Sequence, residues 1–247
     1  MKKTLCLFLT LTLFCSLLCG CVQESPEPVF IPPEIAPEDR EKTGQLEYLG
    51  LMFDLYNDHT CELAAPSETA TLEKTLVIPA TCDGYTVVAI GKSAFAESDF
   101  NRVTIPDSVK TIGDYAFQKS AITEITLPKS LESLGVECFD NCLNLEKVTF
   151  QNPIEIIPTA AFFGCEKLKE VVLPEGVKEI GEEAFASLKN LEKLSLPESL
   201  EKIGPYAFWS SGTETLEITV PQGVKSVGEN AFSDSKAKIT YRNEEAK

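Results

Sequence analysis

The stretch Pro174-Glu175-Gly176-Val177-Lys178-Glu179-Ile180-Gly181-Glu182-Glu183-Ala184-Phe185-Ala186-Ser187-Leu188-Lys189-Asn190-Leu191-Glu192-Lys193-Leu194-Ser195-Leu196-Pro197 decides the architecture, because the chain repeats it. Its phenylalanine makes the register visible at Phe95, Phe117, Phe139, Phe162, Phe185, Phe208 and Phe232, with spacings of 22, 22, 23, 23, 23 and 24 residues. Alanine precedes six of the seven, and Cys138 takes its place in the third. A motif of this period does not build one globular enzyme core. Each copy buries its apolar face only against its neighbours, which is a solenoid.

Within one copy, Leu194 and Leu196 lie two apart and share a strand face, with Ser195 pointing outward. Pro174 and Pro197 punctuate, since proline donates nothing to a strand ladder. Val177 and Ile180 mark a second short extended piece. Glu182 to Phe185 is too short for an independent helix but long enough for one helical or 3₁₀ turn. Each coil is therefore expected to hold a strand, a corner, a second short strand and a helical turn, with its Phe filling the middle. The fold class is an α/β repeat solenoid.

Two departures from the pattern are informative. In the fourth copy Pro158 stands where the others have Gly91, Gly113, Gly135, Gly181, Gly204 and Gly228. Proline holds φ near −65°, so those glycines are expected to supply space or sharp bending rather than a positive φ. The sixth copy carries one extra residue after Phe208, within Trp209 to Thr215, and should form a local loop.

The consensus Ile-Pro-x-x-Val-x-x-Ile-Gly-x-x-Ala-Phe-x-x-Cys-x-x-Leu-x-x-Val-x-Leu-Pro resembles the BspA-type leucine-rich repeats of bacterial surface proteins. The resemblance spans about two thirds of the chain, residues 76–241, in about seven repeats. It implies a right-handed solenoid with short parallel strands. It also implies a ligand class, because members of that family include adhesins for host matrix proteins and other cells.

The ends carry different signals. Lys2 and Lys3 precede an apolar run from Thr4 to Cys19, shorter than the roughly 20 residues of a bilayer-spanning helix. Residues 1–20 therefore read as a secretory signal. Leu18-Cys19-Gly20-Cys21 resembles a bacterial lipobox, which makes Cys21 the lipidation site; an ordinary signal peptide ending near a cysteine is the alternative. Residues 21–45 hold five prolines and several acids. Such a segment stays extended and, at ~3.1 Å per residue, reaches roughly 70 Å. Residues 46–75 read as a capping hairpin, in which Leu51–Tyr56 and Thr60–Leu63 flank Asn57-Asp58. Residues 242–247 form a polar tail, and Lys236, Lys238 and Arg242 put charge on the last strand, which discourages further pairing.

Charge bounds the partners. The chain has 22 basic and 38 acidic residues, a formal −16. That disfavours nucleic acid and anionic membrane surfaces, leaving a lipid anchor as the route to a membrane. Along the stack, Arg102, Glu124, Lys147, Glu170, Lys193, Glu217 and Lys238 alternate in sign. The row is either a register device or a charge-patterned binding face. The next outward row is Val77, Thr104, Thr126, Thr149, Val172, Ser195, Thr219 and Thr240, small and mostly β-branched, without an evident pocket. Phe163 and Trp209 follow the core Phe and should point outward. They are candidate partner contacts with Thr126, Thr149, Val172 and Ser195, or else they cover the corner of an adjacent coil.

Six cysteines follow the signal. Cys138 takes the Ala position, and Cys142 and Cys165 take a position held elsewhere by Ser98, Ser120, Ser211 and Ser235. Buried thiols are expected there. Cys61 and Cys82 flank the junction of hairpin and solenoid, where a disulfide and two thiols are both open. Cys138 and Cys142 lack a histidine to complete a zinc set, and His59 with Cys61 lacks an orienting third group. No catalytic residue, metal site or cofactor is read from the chain. The reading is a lipid-anchored, non-catalytic surface module that binds a protein on a host or neighbouring cell. A structural spacer or envelope-complex subunit and, more remotely, a carbohydrate-binding module are the alternatives.

Overall fold

The computed structural model describes residues 39–67 and 74–242. The stretch read as a signal peptide, Cys21, most of the stretch read as a linker, residues 68–73 of the expected cap and the last five residues lie outside them.

Among the described residues nineteen strands follow in chain order. The first six are β1 (Lys42–Tyr48), β2 (Leu51–Tyr56), β3 (Thr60–Pro66), β4 (Thr75–Val77), β5 (Thr81–Cys82) and β6 (Tyr85–Ile90). Seven more are β7 (Arg102–Thr104), β8 (Thr111–Ile112), β9 (Glu124–Leu127), β10 (Ser133–Leu134), β11 (Lys147–Phe150), β12 (Ile156–Ile157) and β13 (Glu170–Val172). The last are β14 (Glu179–Ile180), β15 (Lys193–Ser195), β16 (Lys202–Ile203), β17 (Glu217–Val220), β18 (Ser226–Val227) and β19 (Lys238–Tyr241). The first three make an antiparallel cap. β1 begins inside the stretch read as linker. β3 then pairs in parallel with β6 and joins the cap to the coils.

Each coil contributes one strand to each of two parallel walls. The first wall runs β4-β7-β9-β11-β13-β15 and then β17-β19; the second runs β6-β8-β10 and then β12-β14-β16-β18. Between the walls the phenylalanines form a column. Phe95, Phe117, Phe139, Phe162, Phe185 and Phe208 are fully buried. Successive ring centroids lie 5.2–5.6 Å apart, and five of the six pairs are within 11° of parallel. That spacing falls in the offset-stacked range and is close to the strand spacing of ~4.8 Å.

This spacing overturns the expected helical turns. A helix with its side chains is ~10–12 Å across, so one per coil does not fit where successive coils are separated by about half that distance. The segment around each Phe is instead a chain of overlapping tight turns. Ala94 N–H donates to Gly91 O and Ala96 N–H to Ser93 O, three residues back. The intervening N–H groups point along the stack, so Ser93, Phe95 and Glu97 donate to Asp114, Ala116 and Gln118 of the next coil. The Phe bond recurs at every junction: Phe117 to Cys138, Phe139 to Ala161, Phe162 to Ala184, Phe185 to Ala207 and Phe208 to Ala231, at 2.7–2.9 Å. Two residues per coil take φ of +50° to +66° to make the N–H groups alternate. They are Ser93 and Glu97, Tyr115 and Lys119, Glu137 and Asn141, Ala160 and Gly164, Glu183 and Ser187, Tyr206 and Ser210, Asn230 and Asp234. The left-handed conformation costs a non-glycine residue about 1–2 kcal/mol, and the axial bonds offset it.

The six repeat glycines take no positive φ, as Pro158 implied. They provide space. A Cβ on Gly135 would meet Asp114 N at 2.3 Å and Gly113 C at 2.4 Å; one on Gly181 would meet Thr159 N at 2.7 Å. Each of these glycines also donates its N–H to the coil before, as Gly135 does to Ile112 O and Gly181 to Ile157 O. Pro158 has no N–H, and the second wall divides between β10 and β12 at its coil. The first wall divides between β15 and β17, where the sixth copy has its extra residue. At both breaks the Phe bonds continue.

Gly135→Ala is expected to lower stability by about 1–3 kcal/mol, as overpacking does. Gly44→Ala, where an added Cβ meets nothing within 4 Å, should stay within about 0.5 kcal/mol of the parent. Urea unfolding of the two variants checks this; equal stabilities would mean that the coils do not approach through the glycine column.

Candidate interaction surface

The surface divides into the two strand walls and the wall of tight turns. On the first strand wall the alternating row pairs in register, with Arg102 opposite Glu124, Lys147 beside both Glu124 and Glu170, and Glu170 opposite Lys193. Ion pairs close between Arg102 and Glu124 at 3.3 Å, between Lys193 and Glu170, and between Lys238 and Glu217 at 3.0 Å. The second strand wall has its own row, which the sequence reading missed. Lys110 meets Glu132, Lys178 meets Glu155, Lys202 meets Glu179 and Lys225 meets Glu201. These partners lie one repeat apart, so listing charges by repeat position would have found them. All are largely exposed and screened by solvent, so each pair adds little to stability. Their larger effect is to offset charge of opposite sign within each row.

The outward row is exposed at Val77, Thr126, Val172 and Ser195 and half-buried at Thr149. It aligns Thr126 with Thr149 and Val172 with Ser195. The row does have a shallow depression, about 410 Å³, lined among others by Thr75, Arg102, Thr104, Glu124 and Thr126.

The turn wall is different. Tyr115, Phe163, Tyr206 and Trp209 are half-buried along it, so each presents part of a ring to solvent. Trp209 Nε1 donates to Asp234 in the next coil at 2.9 Å, which fixes the indole against its neighbour. Asp114, Glu137, Asp140, Glu182, Glu183 and Glu229 share this wall, and none forms an ion pair among the described residues. Amides satisfy two of them, since Gln118 Nε2 donates to Glu137 and Asp140. The acids act on Tyr115, which lies under Lys92 Nζ at 5.6 Å and whose phenol is raised above its ordinary pKa by the Glu137 carboxylate, with desolvation and Asp114 adding.

The cysteines are all buried thiols among the described residues. Cys142 and Cys165 act as serine replacements, donating to Phe117 O at 3.0 Å and Phe139 O at 3.2 Å. Ser98 and Ser211 donate to Phe95 O and Phe185 O in the same column. Burial holds the Cys138 and Cys165 thiols well above their ordinary pKa. His59 is exposed in the hairpin turn at φ 58°, its ring 5.8 Å from Tyr85. The Cys61 thiol is buried and faces Cys82, so the two do not make a nucleophile and base. No group of three or more metal-ligating side chains occurs among the described residues.

Six copies of the BspA type leucine rich repeat region match residues 88–215. The chain belongs to this family. A leucine rich cell surface protein from Faecalibacterium prausnitzii A2-165 is similar to it over 83% of this chain, with 28% identity and a TM-score of 0.70. A leucine-rich repeat protein from Eubacterium ventriosum matches 82% of the chain with 23% identity and a TM-score of 0.67, a likeness of fold. The match spans 56% and 52% of those two chains, respectively. No curated protein matches the sequence.

Glu170→Lys would place three ammonium groups in adjacent coils, with Lys147 and Lys193. The melting temperature is expected to fall at low ionic strength and to recover in molar salt, where the Debye length is ~3 Å. A fall that persists in high salt would show that the row acts through packing rather than charge.

Proposed function

We propose that this protein is a lipid-anchored, non-catalytic module of the bacterial surface that binds another protein through its turn wall. One observation carries the reading: the strand walls carry rows of ion pairs, whereas the turn wall, beside its Glu97–Lys119 pair, keeps partly exposed aromatic rings among carboxylates that have no ion-pair partner among the described residues. Aromatic side chains are enriched at the cores of protein interfaces, and uncompensated acids favour a basic partner segment over an acidic one. Phe163 and Trp209 are the contact residues. Thr126, Thr149, Val172 and Ser195 lie on the self-paired first wall and form a secondary surface. The cell-surface description of the Faecalibacterium protein supports an extracytoplasmic location. The apolar leader and Cys21 support anchoring, with the proline-rich segment giving reach. Adhesion to a host or neighbouring cell is the activity this arrangement suits.

The bond from Trp209 to Asp234 favours a second reading, a structural spacer or envelope subunit in which the exposed rings tie coils together.

Immobilised protein, challenged with host or foreign-cell surface extracts, should retain a protein ligand. Phe163→Ala and Trp209→Ala should each weaken retention at least roughly tenfold, the effect of losing an interface anchor. Thr126→Ala and Ser195→Ala should leave it unchanged. The reverse pattern would move the site to the strand wall, and capture of envelope proteins alone would favour the spacer.

A further inference from the structure

Five buried thiols divide by what they face. Cys142 and Cys165 each donate to a backbone carbonyl in the repeat column, and Cys138 fills an alanine position. Cys61 and Cys82 hold no repeat position. Cys61 is in β3, the last strand of the cap, and Cys82 in β5, the short strand that turns back through Asp83-Gly84 into β6. Both are fully buried, and their Sγ atoms are 3.0 Å apart. A carbonyl, Tyr85 O, is 3.9 Å from Cys61 Sγ, farther than the partner thiol. Among the described residues, each sulfur has the other as its nearest partner, with Tyr85 O more distant from Cys61.

We infer that Cys61 and Cys82 form a disulfide that fastens the terminal cap to the first coil. The oxidant is the disulfide of a thiol–disulfide exchange protein or of a small-molecule thiol couple. One Cys thiolate attacks that disulfide and forms a mixed disulfide, and the other displaces it. The Sγ–Sγ bond forms and the oxidant's S–S bond breaks. Two electrons pass to the oxidant's sulfurs, and the two thiol protons end on the two released thiols. Burial raises both thiols above their ordinary pKa in the folded chain, so the exchange belongs to folding, before the site closes.

The position explains what the bond would do. In a stack of coils each unit is supported by its neighbours, so fraying begins at the ends. The cap is the end that must hold β6 in register, and its pairing with β6 shifts between Cys61 and Glu62. A cross-link between residues 21 positions apart restricts the unfolded chain and opposes local opening of the cap.

The test refolds the full chain in a mixture of oxidised and reduced glutathione and maps it by mass spectrometry without reduction. The expected result is a linked pair of peptides containing Cys61 and Cys82, lighter by two hydrogens, with Cys138, Cys142 and Cys165 recovered as thiols. Recovery of Cys61 and Cys82 as free thiols, or joined to other cysteines, would overturn the inference. Hydrogen exchange then compares the oxidised protein with its reduced form and with Cys61→Ser/Cys82→Ser. Protection across β1–β3 should fall at least roughly tenfold in both; equal protection would show that the bond does not fasten the cap. Neither measurement involves a surface ligand, so failure of the protein-binding reading leaves this result standing.

Discussion

Successive coils stack about 5 Å apart along the Phe column, and the bond from each core Phe N–H to the carbonyl before the next core Phe holds them there. Other features follow from that separation. The residue before Phe must be small, so it is Ala or Cys. Six copies keep glycine in the column where a Cβ would run into the preceding coil, and the second wall divides at the one copy that has a Cβ there, Pro158. The rings must stack, because no other arrangement fills a column advancing by one strand spacing per coil. The turns must take two left-handed residues, because only then do alternate N–H groups point along the stack.

Much of this was legible in the sequence. The Phe spacing gave the register and the core, and Pro158 pointed away from a positive φ at the glycines, leaving space or sharp bending; the close approach of the preceding coil shows that they give space. The two irregular copies coincide with the breaks in the walls, a missing N–H at one and an added residue at the other, although only a local loop in the sixth copy was expected. The helical turn was misread for a physical reason. Short segments such as Glu182 to Phe185 have no feature that excludes a helix when read singly; the steric conflict arises only between coils. The left-handed positions left no trace either. They hold Tyr, Glu, Lys, Asn, Ser, Ala and Asp, and glycine marks one only at Gly164. Their conformation is imposed by axial bonding and not by local preference.

The candidate site was legible less fully. Phe163 and Trp209 stood out because they break a column otherwise held by Ala96, Gln118, Asp140, Ala186 and Ser233. Their partial burial, and the tie from Trp209 to Asp234, depend on the coil above and were not visible in one repeat. The first ion-pair row was visible because it alternates strictly. The second was not, because Glu132 and Glu155 adjoin in the stack and interrupt the alternation. Seeing both rows changes what the surface means. Most of the ion pairs between coils run along the two strand walls, and the turn wall, with the single pair Glu97–Lys119, holds further acids beside its aromatic rings.

The most direct measurement of this account is a crystal structure of the chain, read at the seven core phenylalanines. The account predicts successive ring centroids near 5.4 Å, with each Phe N–H bonded to the neighbouring coil and no helical turn between them. A helix around any core Phe, with its coil separated from the next by a helix diameter, would contradict it.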